Sequence, residues 1–179
     1  MKQSARHYLK SLARIVAILP FLSLSAGVGA EPFASQIPMR DKGGATYYVN
    51  GFIDGLGDLE MMVDTGSGYF TINREALDRL DGRPDVRYLK DLRGILANGQ
   101  ELIVPVYRIG ALRIGGDCWV HDVEAAVFPG TSRQILGLSA LRRASPFVFS
   151  VDPPELTLSS CAPAPLLGAE TVAETHQVD

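Results

Sequence analysis

At positions 61–67 the sequence reads Met61-Met62-Val63-Asp64-Thr65-Gly66-Ser67, an apolar run that ends in an aspartate. Burying a lone carboxylate is costly, so the residues after the run are expected to present Asp64 on a tight turn. Gly66 gives that turn backbone freedom, and Thr65 and Ser67 supply hydroxyl groups. Taken alone, the pattern also fits an ordinary turn after a strand, because Asp and Gly recur in turns.

Short β-prone runs separated by turn residues surround this stretch and predict an all-β domain. Before it, strands are expected at Tyr47 to Ile53 and at Leu59 to Val63. After it, a strand is expected at Tyr69 to Ile72. Asn73 is then placed to cap a short helix with Glu75 in its first turn.

The middle of the chain combines a predicted loop with a predicted hairpin. Asp81 to Arg93 has mixed charge, a glycine and a proline, and is expected to be a loop. Asn98-Gly99 is a strong hairpin signal, because both central residues of a type I′ turn need positive φ. The apolar alternation at 102–106 predicts a strand, and Pro105 within it favours the edge of a sheet.

Further strands are expected to complete the domain. Gly115-Gly116 marks a hairpin, and the strand after it, Trp119 to Val127, alternates between apolar and polar residues. The remaining expected elements are a short apolar segment at Ile135-Leu136-Gly137, one or two helical turns at Leu138 to Arg143, and strands at Phe147 to Val151 and Leu156 to Leu158.

Residues 1–30 have the three-part plan of a secretory signal peptide. A basic stretch precedes an apolar run at Ile15 to Val28, and small residues lead to a cleavage point after Ala30. The run is about fourteen residues long and contains Pro20, whereas a membrane-spanning helix needs about twenty. We therefore expect a periplasmic or secreted protein with no stable membrane anchor; anchoring by an uncleaved N-terminus is the alternative.

The rest of the chain divides into three predicted parts. Residues 31–44 are polar and contain proline, which predicts a flexible lead-in. Residues 45–161 carry the strand and turn signals of the folded domain. Residues 162–179 are rich in Ala and Pro and then acidic, which predicts a disordered tail.

Charge argues against two classes of partner. Four of the 17 basic residues and none of the 20 acidic residues lie in the predicted signal, so the remainder has a net charge of −7. Nucleic acids and anionic membranes favour basic patches. Neither is expected as a partner.

Cys118 and Cys161 are the two cysteines of the chain. An oxidising compartment permits a disulfide between them, and two free or buried thiols are the alternative. Together with His121 they form no known metal-ligand spacing, so no metal is expected.

Two other stretches carry weaker catalytic signals. Gly137-Leu138-Ser139-Ala140-Leu141 is similar to a serine-hydrolase elbow but has Leu141 where the second glycine is needed. His121-Asp122 could pair a base with an orienting acid, but no suitable nucleophile accompanies it. A histidine on a surface hairpin is the simpler interpretation.

Val63-Asp64-Thr65-Gly66-Ser67 after an apolar strand resembles the active-site loop of aspartic proteases. Three further features follow in the order of the single-lobed, retropepsin-like branch. The hairpin Ala97-Asn98-Gly99 lies where that family has its substrate-covering flap, and a β-meander follows at Leu112 to Val127. Ile135-Leu136-Gly137 resembles the apolar-apolar-Gly signature that packs under the catalytic loop. The resemblance covers roughly Ala45 to Leu158 and is to bacterial exported members in particular.

This resemblance implies an all-β fold, a closed acid-protease barrel of short strands with one or two short helices. It implies an aspartic endopeptidase without a cofactor that cleaves extended peptides or exported proteins. Asp64 would be the catalytic carboxylate, supported by Thr65, Gly66 and Ser67. The reaction needs two carboxylates that share one proton, and the chain has one Asp-Thr-Gly. The resemblance therefore implies a homodimer that pairs two Asp64 residues, with terminal edge strands such as Leu156 to Leu158 interleaved between subunits.

Two other functions stay open on the sequence. The fold can persist without its activity, as a non-catalytic peptide-binding or scaffold domain in which Asp64 is a structural acid. A sensor domain tethered by an uncleaved N-terminus is the other possibility.

Overall fold

The computed structural model describes residues 35–95, 99 and 101–165, in which strands dominate. The elements are, in chain order, β1 (Ser35–Pro38), β2 (Arg40–Asp41), β3 (Tyr47–Ile53), β4 (Gly57–Val63), β5 (Phe70–Asn73), α1 (Arg74–Arg79), β6 (Val86–Ile95), β7 (Glu101–Ile114), β8 (Cys118–Phe128), β9 (Gln134–Leu136), α2 (Leu138–Leu141), a 3-10 turn (Arg142–Ala144), β10 (Phe147–Val151) and β11 (Pro154–Leu158).

Six of these strands close into a barrel. Neighbouring strands follow the order β3-β4-β9-β5-β8-β7, and β7 pairs back onto β3 through Gly51 opposite Ile114 and Phe52 opposite Arg113. A Cβ atom at Gly51 would lie 2.7 Å from the Arg113 carbonyl oxygen, so the close approach of the two strands requires glycine there. The predicted all-β barrel is confirmed.

Side chains that alternate along the strands fill the barrel. Along β3, β4 and β8 the buried residues recur mostly at every second position, as the two-residue period of a strand requires. The largest fully buried side chains include Ile53, Met61, Phe70, Ile109, Leu112 and Leu136. Val104, Val106 and Ala126 form a second, smaller apolar cluster.

The short helix α1 begins where its cap was predicted. The Asn73 side-chain oxygen accepts a hydrogen bond from the Ala76 N–H at 2.8 Å, and Glu75 lies in the first turn. Both features stabilise the start of a helix, because the first N–H groups have no partner within the helix.

The loop predicted at 81–93 is wrong from Val86 onward. β6 pairs with β7 along its length, from Val86 opposite Ile109 to Ile95 opposite Glu101. As the outer strand of its sheet, β6 is largely exposed and carries charged side chains. Charges on an outer strand discourage pairing with other chains, and in the sequence they resemble a loop.

The edge position predicted from Pro105 is confirmed for the first part of β7 but does not hold for the whole strand. β7 lies between β6 and β8. However, its pairing with β8 begins at Val106, so Pro105 pairs only with Asp91 on β6. The missing N–H of proline therefore leaves no gap in the pairing with β8.

The flexible lead-in predicted at 31–44 is wrong for residues 35–41. β1 pairs with β11 and buries Ile37, and β2 pairs with β3. At the other end, the Ala162 N–H donates to the Trp119 carbonyl at 2.8 Å. The ordered part of the domain therefore extends beyond 45–161 on both sides.

The predicted signal at 1–30 and the tail residues 166–179 lie outside the described residues. Within the ranges that are described, no helix is long and apolar enough to cross a membrane.

β11 occupies the centre of a separate three-stranded sheet. Its neighbours are β1 on one side and β10 on the other, both from the same chain. Leu156 to Leu158 is therefore not an edge strand, and the expected interleaving of this segment with a second subunit is wrong. The sequence does not show this, because the partner β1 lies in the polar, proline-containing stretch that predicts a flexible lead-in.

Cys118 and Cys161 form a disulfide, with Cα atoms 4.8 Å apart. Cys118 is fully buried at the start of β8, and Cys161 follows β11. The bond therefore ties the three-stranded sheet to the barrel.

Replacing both cysteines by alanine is expected to lower the free energy of unfolding by about 2–4 kcal/mol, because the bond closes a long loop and restricts the unfolded chain. The sequence separation of the pair is 43 residues. Urea unfolding of the two proteins measures the difference. Wild-type protein treated with reductant is the control and should show a similar loss; equal stability of all three samples would contradict the prediction.

Candidate active site

Asp64 lies at the end of β4, where the chain leaves the barrel wall. Val63, the last residue of β4, pairs with Leu136 of β9, and the Asp64 N–H donates to the Leu136 carbonyl at 3.2 Å. Val63 is buried, Asp64 is partly exposed, and Thr65 is exposed. The carboxyl group is therefore held at the surface by a buried strand, as the sequence indicated.

Hydrogen bonds within the turn fix the Asp64 side chain. The Gly66 N–H donates to Asp64 Oδ1 at 2.9 Å, and the Ser67 N–H donates to the Asp64 carbonyl at 3.2 Å. The Ser67 hydroxyl donates to the Tyr69 carbonyl at 2.9 Å, which closes the far side of the loop. Within the described residues, Asp64 Oδ2 has no hydrogen-bond partner and is available to a water or a substrate.

Helix α2 supports this loop from below. The Leu138 N–H donates to the Ser67 carbonyl at 2.9 Å, and the Ser139 N–H donates to the Gly68 carbonyl at 3.1 Å. These N–H groups belong to the first turn of α2 and have no partner within the helix. The loop carbonyls and the helix N–H groups therefore satisfy each other.

Gly137 allows this contact because it has no side chain. A Cβ atom there would lie 2.1 Å from the Tyr69 carbonyl oxygen and 2.9 Å from the Ser67 carbonyl oxygen. Both atoms belong to the backbone and cannot move aside as a flexible side chain would. The segment Ile135-Leu136-Gly137 thus lies directly under the Asp64 loop, with Leu136 fully buried.

The Ser139 hydroxyl joins three segments at this site. It accepts a hydrogen bond from the Phe70 N–H at 2.7 Å and donates to the Glu124 carbonyl at 2.6 Å. It therefore links α2 to the start of β5 and to β8. In the sequence, Ser139 is a candidate only as a nucleophile of another enzyme class. No local pattern identifies its structural role, because both partners are distant in sequence.

The predicted hairpin at 97–99 joins β6 to β7. The last pair of this ladder is Ile95 opposite Glu101, and Gly99 has a φ of +82°. Ala97 and Asn98 lie outside the described residues. The described β6–β7 ladder therefore ends at the residues next to this segment, and the flap role of 97–99 stays a prediction.

Tyr69 connects the Asp64 loop to the smaller apolar cluster. It packs against Val104, Val106 and Ala126, which also contact the partly buried side chains of Leu89, Leu92, Leu102 and Phe128. These residues lie on the strands that lead to the hairpin, β6 and β7, and on β8. Partly exposed apolar side chains, those of Tyr69, Leu92 and Leu102 among them, thus lie over this buried cluster between the loop and the ends of β6 and β7.

Lys90 covers one side of Tyr69. Its ammonium group lies 5.6 Å from the centre of the Tyr69 ring and 3.2 Å from Glu124 Oε2. The hydrogen bond from Lys90 to Glu124 is the main cause that raises the pKa of the lysine. Lys90 is therefore positively charged throughout the range in which proteins are normally studied.

The other candidates of the sequence analysis are engaged elsewhere. His121 Nε2 lies 3.2 Å from the Pro163 carbonyl oxygen, and Asp122 pairs with Arg108. Asp58, the second residue of β4, pairs with Arg113. In the part of the chain that is described, no group of three or more His, Cys, Asp or Glu side chains is placed to hold a metal ion.

Comparisons with known proteins agree with this geometry. A family model described as aspartyl protease matches residues 46–140. Among solved structures, the chain is similar to a retropepsin-like aspartic protease from Rickettsia conorii, with a TM-score of 0.51, 19% sequence identity, and coverage of 72% of this chain and 92% of that chain. No curated protein matches the sequence. The structural likeness, at this identity, establishes the fold.

Gly137→Ala is expected to destabilise the protein by about 1–3 kcal/mol or more, because the new methyl group would push the Asp64 loop and α2 apart. Thermal or urea unfolding measures the loss. Gly116→Ala is the matched control, since a Cβ atom there has no heavy atom within 4 Å. Equal stability of the two variants would show that the loop does not depend on this close contact.

Proposed function

Because the chain belongs to the aspartyl protease family, we propose that it is an aspartic endopeptidase with Asp64 as its catalytic carboxylate. One observation carries the proposal. Asp64 follows the last, buried residue of β4, so its carboxyl group lies at the surface. There the Gly66 N–H donates a hydrogen bond to one of the carboxyl oxygens.

The proposed reaction is the attack of a water molecule on a peptide carbonyl. One carboxylate takes a proton from the water, and a second, protonated carboxyl donates its proton to the carbonyl oxygen as the tetrahedral intermediate forms. The protonated and ionised forms coexist because two carboxylates at close range cannot both ionise. Collapse of the intermediate breaks the C–N bond and passes a proton to the leaving amine.

A second copy of the chain would supply the second carboxylate. The sequence contains a single Asp-Thr-Gly, and a two-fold axis beside the exposed loop would bring the same residue of a partner alongside. Thr65 is exposed next to Asp64. In such a dimer, the exposed threonines of the two loops would face each other and their hydroxyl groups could link the loops.

The substrate class follows from the surface between the loop and the hairpin. The partly exposed side chains of Tyr69, Leu92 and Leu102 lie over the buried cluster on the strands that lead to residues 97–99. An extended peptide bound there would present side chains alternately to this surface and to the opposite side. We therefore propose extended peptides with apolar side chains near the cleaved bond, drawn from unfolded or flexible protein segments.

We place this activity outside the cytoplasm, in the periplasm or the medium. Two features support the location. Residues 1–30 have the signal-peptide pattern, and the disulfide between Cys118 and Cys161 belongs to a type that persists in oxidising compartments. Substrates in that location would be exported proteins.

Asp64→Asn is expected to reduce peptide hydrolysis by about a thousandfold or more, because an amide can neither accept the proton from water nor share one with a second carboxyl. Cleavage of casein or a peptide library by the purified protein measures the effect in acidic and neutral buffers. Folding is checked by circular dichroism, since the amide keeps the shape of the side chain.

Asp81→Asn is the matched control, because Asp81 is an exposed acid in the turn after α1. Its activity should equal that of the wild type. If the Asp64→Asn variant still hydrolyses peptides, Asp64 is not the catalytic carboxylate. A wild-type protein that binds these peptides without cleaving them would favour the scaffold function instead.

A further inference from the structure

Two arginines contact Asp122, a residue of β8 that the proposed reaction does not use. Arg108 Nη1 lies 3.6 Å from Asp122 Oδ1, and Arg143 Nη2 donates to the Asp122 carbonyl at 2.9 Å. Asp122 has a φ of +55°, in a region that aspartate occupies more readily than most residues. One residue in an uncommon backbone conformation thus holds two guanidinium groups, one from β7 and one from the 3-10 turn after α2.

Arg87 brings a third guanidinium group to the same place. It lies directly opposite Arg108 in the β6–β7 ladder, so the two side chains share one face of the sheet. Arg87 is exposed and, among the described residues, forms no salt bridge. Like charges directly opposite each other destabilise a sheet. Arg87, Arg108 and Arg143, the arginine cluster, are therefore stabilised by any further anion that binds between them.

The surroundings of the arginine cluster carry an excess of positive charge. Lys90 and Glu124 pair with each other at 3.2 Å, and Glu124 lies opposite Arg108. Asp122 is the other carboxylate in contact with these basic groups. Four basic side chains therefore share two carboxylates, although the chain after the predicted signal is acidic as a whole. The excess is local, and it suits a negatively charged ligand.

The arginine cluster adjoins the surface that we propose for the substrate. Arg108 follows Val106 by two residues on β7, so both side chains lie on the same face. Val106 packs with Tyr69 in the smaller apolar cluster, and the Lys90 ammonium group lies over the Tyr69 ring. A peptide extended along this face would meet apolar side chains with one part and the arginines with another.

We propose that the arginine cluster binds carboxylate side chains of the peptide substrate, at positions away from the cleaved bond. The inference rests on the proposed function and adds an acidic segment to its apolar substrates. Arginine suits this role, because its planar guanidinium group donates two parallel hydrogen bonds to a carboxylate and stays charged. The contacts with Asp122 hold Arg108 and Arg143 in place before the substrate binds, which lowers the entropy cost of binding.

Peptides matched in everything except charge test the binding. Each has the same apolar core and carries a short block of glutamate or of glutamine, placed before or after the core. Fluorescence anisotropy with the Asp64→Asn protein measures affinity without hydrolysis at about pH 6, where glutamate is ionised. With the block on one side of the core, the glutamate peptide is expected to bind about tenfold more tightly than its glutamine counterpart. Raising the salt from about 0.1 M to about 1 M should remove most of this difference.

Arg87→Glu is the decisive variant, because Arg87 is exposed and its replacement removes no contact with Asp122. The variant is expected to bind the glutamate peptide about fivefold more weakly and the glutamine peptide unchanged. Arg87→Lys keeps the charge and should retain most of the affinity.

Arg133→Glu is the matched control for the change in net charge. Arg133 is exposed just before β9, and it donates to the Tyr48 hydroxyl of β3 at 3.0 Å, away from β6. Its replacement should leave both affinities equal to those of the protein with Arg133.

Hydrolysis by protein that retains Asp64 is the second measurement. The arginine cluster binds a part of the substrate that does not react, so it contributes equally to the bound substrate and to the transition state. Arg87→Glu is therefore expected to raise KM for the glutamate peptide about fivefold and to leave kcat unchanged. A purely structural role would not distinguish the glutamate peptide from the glutamine peptide.

Three outcomes overturn the inference. If the wild type hydrolyses both peptides equally and Arg87→Glu changes neither rate, the arginine cluster takes no part in substrate binding and the proposed function stands. If the glutamate peptide binds through Arg87 but the wild type hydrolyses neither peptide, the proposed function is wrong and the arginine cluster belongs to a binding domain. If the glutamate peptide binds only after residues 166–179 are removed, the acidic end of this chain is the ligand of the arginine cluster instead of a substrate.

Discussion

The contact between the Asp64 loop and the start of α2 is the interaction on which the site depends. Two loop carbonyls, those of Ser67 and Gly68, accept hydrogen bonds from two helix N–H groups, and Gly137 lets the backbones come together. Without each other, the loop and the helix would leave these backbone carbonyl and N–H groups without hydrogen-bond partners, and burying unpaired polar groups is costly. Their mutual pairing therefore holds a carboxyl group at the surface in one fixed orientation.

The barrel makes this contact possible by ending two strands at the same place. β4 and β9 run parallel, so Val63 and Leu136 lie side by side and the residues after them leave the wall together. Asp64 follows one strand, and Gly137 with α2 follows the other. The same segment continues to β10, so the chain leads directly from the support of the loop into the three-stranded sheet.

The sequence predicted the local structure around Asp64 because the signals for it are local. An aspartate after an apolar strand, an asparagine before a helix, and a glycine after Ile135-Leu136 each reflect a nearby backbone requirement. The failures had non-local causes. The sequence of β6 resembles a loop because this outer strand carries charge. The sequence of β1 gives no strand signal of its own, and its partner β11 is more than a hundred residues away. Ser139 was missed because Phe70 and Glu124 meet it only in the folded chain.

The central claim is that two Asp64 residues from different copies act as one site, and mixing wild type with Asp64→Asn tests it most directly. After subunit exchange at equal concentrations and fixed total protein, dimers with two aspartates make up about a quarter of the population if pairing is random. The account predicts hydrolysis at about a quarter of the all-wild-type rate. A rate of about half would mean that each chain acts alone, and would contradict it.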